Sequence, residues 1–150
     1  MKLMKITSVA ALLLSVGFLG NLSLADSEGI IKYRKNVMKT NAGHMGAIMD
    51  ILKNHLPLET HVVDHARSIN QNSKMILSMF PKGSDLGDTK AKPAIWENWS
   101  KFESAVNAFV RESSKLVKVA ESGDMKALAK QFRATGKTCG GCHKNFKKRE

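Results

Sequence analysis

Apolar residues recur at intervals of three and four along nearly the whole chain beyond residue 26, and no stretch alternates as a half-buried strand would. The first stripe is Ile30, Arg34, Val37, Met38, Asn41, Met45, Ile48, Met49 and Leu52, which predicts a helix over Ser27–Asn54, stopped by Pro57. The second is Val62, Ala66, Ile69, Ser73, Ile76 and Phe80, on a helix over Leu58–Met79. Pro81-Lys82-Gly83-Ser84-Asp85 breaks it, and a polar loop continues to Lys92. The third helix opens at Pro93, a residue suited to a first helical position, and runs to Glu121 through Ile95, Trp99, Phe102, Val106, Phe109, Leu116 and Ala120. Asp124, after Ser122-Gly123, can cap the fourth, which runs from Met125 to near the end. Its stripe is Met125, Leu128, Phe132, Thr135, Cys139, Cys142, His143 and Phe146. Four amphipathic helices on short connections predict an all-α chain folded as an antiparallel four-helix bundle.

The N-terminus is set apart from this pattern. Lys2 and Lys5 precede an apolar run, and Ser23-Leu24-Ala25 puts small residues where a signal peptidase reads. Residues 1–25 are expected to be a secretory signal peptide and residues 26–150 a single periplasmic domain, with no stable membrane insertion after cleavage. Lys and Arg outnumber Asp and Glu by 24 to 13, a formal charge of +11. The excess suits an acidic protein partner. Nucleic acid is not expected, because the chain is exported and carries no nucleic-acid motif.

Chemistry concentrates in Cys139-Gly140-Gly141-Cys142-His143, a C-x-x-C-H pentapeptide. A three-residue step on a helix puts both sulfurs on one face, where they can add across the two vinyl groups of one porphyrin edge. His143 follows and can give its imidazole to iron. The glycines between let the backbone approach the macrocycle. Three other readings compete. A disulfide would close a tight loop and leave His143 unexplained. A thioredoxin-like pair belongs near a βαβ pattern. Zinc needs further ligands, and His61 and His65 lie far away with no cysteine beside them. One covalent haem c per chain, held by Cys139 and Cys142 and ligated by His143, is the expectation that uses all three residues.

With that motif near its end, the chain resembles class II c-type cytochromes, the cytochrome c′ and cytochrome c-556 family. The resemblance spans Asp26 to Glu150. Supporting pieces are Tyr33-Arg34 followed by Met38, Lys92-Pro93-Ala94-Ile95-Trp96, Ala134-Thr135-Gly136-Lys137-Thr138, and Phe146 after the haem histidine. Cytochrome c′ is itself a type case of the four-helix bundle, so fold and resemblance are not independent. The resemblance implies that His143 is the proximal ligand and that Arg34 lies near a haem propionate. Lys147 stands where several relatives have arginine, keeping the charge but not the planar fork. Met38 takes the distal position, which in the c-556 branch ligates iron and in the c′ branch leaves it five-coordinate.

The local string Arg34 to Asn41 looks closer to the c-556 branch. The expected function is therefore periplasmic electron transfer by a low-spin haem with His143 and Met38 as its two iron ligands. The alternative is a five-coordinate cytochrome c′ that binds NO or CO. No nucleophile–base pair is readable, so an enzyme is not expected. Lys144, Lys147, Lys148 and Arg149 form a basic end that suits either the helix dipole or an acidic redox partner. The resemblance permits a homodimer as well as a monomer. Met45, Met49, Trp96 and Trp99 are read as core, and His44, His55, His61 and His65 as surface or interhelix residues.

Overall fold

The computed structural model describes residues 24–149. The leader expected over residues 1–25 lies outside them, apart from Leu24 and Ala25 in the first turn of a helix. Four long helices form an antiparallel bundle: α1 (Leu24–Asn54), α2 (His61–Met75), α4 (Trp99–Ser122) and α5 (Met125–Phe146), with a short α3 (Ala94–Glu97) ahead of α4. No strand occurs among the described residues, and no helix there is long and apolar enough to cross a membrane.

The buried positions follow the helical period. On α4 they are Phe102, Val106, Phe109, Ser113, Leu116 and Ala120; on α2, Val62, Ala66, Ile69, Asn70 and Ser73. Asn70, Ser73 and Ser113 carry hydroxyl and amide groups into this core and satisfy one another. Asn70 Nδ2 donates to Ser113 Oγ at 3.0 Å, and the two serine hydroxyls lie 3.2 Å apart. On α1 the buried face is Ile31, Arg34, Val37, Asn41, Ile48 and Ile51. That face is turned slightly from the expected one, and Met49, expected in the core, is 49% exposed. Trp99, also expected inside, is 37% exposed at the start of α4.

The second and third helices differ in their bounds from expectation, whereas α1 ends at Asn54 as expected. α2 begins at His61 rather than Leu58 and ends at Met75, with a single 3₁₀ turn, Leu77–Met79, leading into the loop. α1 ends where His55 enters the left-handed region at φ +51°, and Leu56 N–H donates back to Ile51 O at 3.2 Å in a Schellman-type closure. The third helix is broken at Asn98 (φ −127°, ψ +50°), which separates α3 from α4. Trp96 accompanies the break: its indole Nε1–H lies 3.1 Å from Phe80 O and 3.0 Å from Pro81 O, which ties α3 to the preceding loop. Asp124 does cap α5, accepting from Ala127 N–H at 2.9 Å, and Gly123 closes α4 at φ +72°.

The loop after α2 is held from inside by Arg34. This side chain is 3% exposed. Nη1 donates to Met79 O at 3.3 Å and Ser84 Oγ at 2.9 Å; Nη2 donates to Ser84 O and Thr89 Oγ1, both at 2.7 Å. The guanidinium also lies 4.6 Å over the Phe80 ring. Burial pulls its pKa below the ordinary arginine value, with nearby Asp85 opposing the shift. Gly87, at φ +107°, lets this loop turn where a side chain would press on Ile31.

Candidate haem site

The helices pack as an open series, α1 on α2, α2 on α4, and α4 on α5. α1 and α5, which should close the square, meet only marginally. Between them runs a cleft of about 560 Å³ lined by Met45, Gly46, Met49, Asp50, Phe132, Arg133, Gly136 and Lys137. Its base is thioether and aromatic, and charged side chains stand at the rim. Met38, Met45 and Met49 follow one another at intervals of seven and four on α1, a stripe beside the core-facing one. On α5 a Cβ at Gly136 would lie 3.8 Å from the Met45 methyl.

Cys139 and Cys142 lie on α5, one turn beyond Gly136 and three residues apart. Both are free thiols, half-buried, and packed against the apolar core. Burial raises both thiol pKa values. Cys142, which also feels Cys139, is pushed up to about 11. Apolar shelter therefore keeps these sulfurs from being exposed thiolate nucleophiles of the oxidoreductase kind. His143 follows in the last turn, on the more exposed side of α5, where it lines a second depression with Gly140, Lys144, Lys147, Lys148 and Arg149. Burial, and secondarily the Lys147 charge, lowers its pKa and favours the neutral imidazole that metals require.

This end of α5 is fixed by the loop that precedes α3. Lys92 N–H donates to Phe146 O at 3.0 Å, and Lys148 N–H to Lys90 O at 2.8 Å, around an antiparallel bridge of Ala91 with Lys147. Phe146 packs edge-on against Phe102, with ring centroids 5.4 Å apart. Lys92, Phe146 and Lys147 thus anchor the pentapeptide, so part of the basic end has a structural role.

The donor set fits a covalent haem. Two sheltered sulfurs share a helix with an imidazole, next to an apolar cleft that no neighbouring helix closes. Met45, Met49, Phe132 and Gly136 extend the set of candidate contacts beyond the motif. Sequence periodicity places Met45 and Phe132 on inward stripes, but it cannot show that α1 and α5 stand apart. The cleft and the depression around His143 share no lining residue, and Met38 lines neither. Met38 is instead half-buried and packed against the core. Arg34 has both terminal nitrogens committed to the loop, so a propionate would have to share them.

A sequence model of the family described as cytochrome c′ matches residues 29–147. Cytochrome c′ of Rhodospirillum rubrum is 34% identical over 124 residues, which are 82% of this chain and 84% of that protein. The solved structure of cytochrome c prime from Shewanella frigidimarina superposes with a TM-score of 0.77 at 31% identity, covering 85% of this chain and all of that one. A nitric oxide complex of a variant of cytochrome c prime from Alcaligenes xylosoxidans gives a TM-score of 0.78 at 26% identity, covering 85% and 100%.

These findings correct the expected function. The expectation of a six-coordinate electron carrier with His143 and Met38 as its ligands is not supported; the cytochrome c′ alternative is the better-backed one. The family model is that of cytochrome c′, the relatives from Rhodospirillum rubrum and Pararhodospirillum photometricum are cytochromes c′, and a solved neighbour of that kind is a nitric oxide complex. The physical reason lies in how Met38 is used: its thioether fills space against the core, a common role for methionine on a helix stripe.

Proposed function

This chain belongs to the cytochrome c′ family and carries that family's single covalent haem c, and on that premise we propose that it is a five-coordinate haem protein that binds NO or CO. The observation that carries the reading is the similarity to cytochromes c′, one solved neighbour of which is a nitric oxide complex; an apolar cleft between α1 and α5, one turn from Cys139, agrees with it. When bound, the haem supplies an iron whose axial chemistry the surrounding residues tune. Cys139 and Cys142 would hold the ring by thioethers, and His143 would give its imidazole to the iron. Met45 and Phe132 would give the ring an apolar wall. Met38 would stay packed against the core rather than ligate the iron. Arg34 acts chiefly by fixing the loop that holds the pentapeptide's end of α5.

The biological setting follows from the same reading. Residues 1–25 act as the export signal and residues 26–150 form the mature periplasmic domain, whose role is ligand binding rather than turnover. Absorption and electron paramagnetic resonance spectra test the proposal. The purified protein should be high-spin in both oxidation states and should bind CO on reduction. Met38→Ala should leave the spin state unchanged. A low-spin spectrum that this substitution converts to high-spin would overturn the reading. Intact mass should show one haem added to a chain beginning at Asp26.

A further inference from the structure

The end of α5 gathers charge that the fold does not use. α5 carries no acidic residue, and Lys144, Lys147, Lys148 and Arg149 are all exposed at its C-terminus or just past it. Among the described residues none of these four is in an ion pair. The helix dipole would account for cations here if their side chains closed the last carbonyls. Backbone groups and Lys92 close them instead. His143 O accepts from Lys147 N–H and Phe146 O from Lys92 N–H, both at 3.0 Å, and Lys144 O accepts from Lys92 Nζ at 3.2 Å. The four basic side chains are left to face something outside the chain.

They stand around a hollow of about 550 Å³ that Gly140 and His143 also line. The backbone beneath is fixed by the bridge of Ala91 with Lys147 and by Lys148 N–H on Lys90 O at 2.8 Å. We propose that this basic hollow is the docking surface for an acidic protein that delivers one electron to the haem. The role rests on the haem reading, because a ferric haem must be reduced before it binds CO, and His143, the expected iron ligand, lines the hollow. The donor loses one electron and the iron gains it, with no bond made or broken. The electron primes the iron for a ligand and is not carried onward.

An anionic bilayer is the competing occupant. A bilayer meets the high points of a protein rather than a hollow, and no large apolar side chain lines this one to anchor in lipid. A convex acidic surface on a protein fits both its shape and its sign. Four like charges on a fixed frame raise the encounter rate with such a surface about tenfold or more.

The test uses the full haem-loaded protein. Stopped-flow absorption follows reduction of the ferric form by the anion Fe(II)–EDTA at about 0.1 M salt, where exposed charges act within about 10 Å. Lys147→Glu with Lys148→Glu should slow it at least about tenfold. Lys126→Glu with Lys130→Glu makes the same charge change about 30 Å away, near the other end of α5, and should slow it less than about twofold. With the cation hexaammineruthenium(II) the first pair should react faster than wild type, a reversal that a shift in haem potential alone would not produce. Hexaglutamate stands for the acidic partner surface. It should move amide resonances of residues 140–149 in wild type and not in the first variant, a readout that needs no electron transfer. That readout separates failure of this surface from failure of the haem reading, which the spin state tests. Equal slowing by the two pairs, or the same direction of change with both reductants, would overturn the proposal. So would hexaglutamate shifts that fall elsewhere or are absent. Sedimentation with phosphatidylglycerol vesicles should be no greater for wild type than for the first variant; binding lost in that variant would assign the hollow to a membrane and overturn the proposal as well.

Discussion

Replacing Arg34 with Met keeps most of the side chain's length and removes its four hydrogen bonds. The acceptors do not suffer equally. Ser84 Oγ also donates to Pro81 O at 2.9 Å, and Thr89 Oγ1 accepts from Ala91 N–H at 3.1 Å, so both hydroxyls keep a partner. Met79 O and Ser84 O lose the guanidinium in a region where Arg34 and Ser84 are buried. Each orphaned buried acceptor costs about 1–3 kcal/mol, and relief from burying a charge offsets part of that. A net loss of about 3 kcal/mol follows, against a total stability of about 5–15 kcal/mol. In a chain of this size that lowers Tm by about 6–12 °C. Arg34→Lys keeps the charge but cannot present two forked nitrogens, so it should lose about 2 kcal/mol. Far-ultraviolet circular dichroism of the haem-loaded variants under heat and guanidinium gives both numbers. Limited proteolysis should cut first between residues 82 and 88. An Arg34→Met variant within about 0.5 kcal/mol of wild type would refute the assignment of Arg34 as the clamp of this loop.

His55→Gly should stabilise the protein by about 0.5–1 kcal/mol, because glycine takes the left-handed φ of +51° without the Cβ clash; a lower denaturant midpoint would contradict this. Glu112 is held below the ordinary carboxylate pKa, first by its hydrogen bond from Lys115 and then by that from Gln131 on α5. With the folded pKa depressed, its contribution is present above the unfolded pKa and is lost as pH falls through the folded one. Glu112→Gln should therefore be less stable than wild type at neutral pH, and the two should converge in acid; a constant difference between their urea midpoints across pH would rule this out. Trp96→Phe should cost about 1–2 kcal/mol through the lost indole donor to Phe80 and Pro81, read by thermal unfolding, with no effect on the haem spectrum.

Period alone located the four long helices, since a run such as Phe102, Val106 and Phe109 has no other regular solution. It misplaced the faces of residues such as Met49, because a long helix carries two adjacent stripes and only a packing partner selects between them. It could not see the break at Asn98, which goes with contacts of Trp96 to carbonyls sixteen and fifteen residues earlier. The haem pentapeptide was legible because its spacing is itself the chemistry. The role of Arg34 was not, since its partners Ser84 and Thr89 lie fifty and fifty-five residues away along the chain. The coordination of Met38 was misjudged for a related reason. A methionine at one stripe position has the same sequence signature whether it meets a metal or a side chain.

The gap between α1 and α5 has a consequence for biogenesis. A bundle normally completes its interior with its own side chains, whereas here a haem held by Cys139 and Cys142 would supply part of the wall beside α5. Chain stability and haem loading are then one linked quantity: whatever binds the native arrangement alone pulls the chain towards it. The seam that looks like incomplete packing is then where the chain's stability and its cofactor meet, and thioether formation would add to the native arrangement alone.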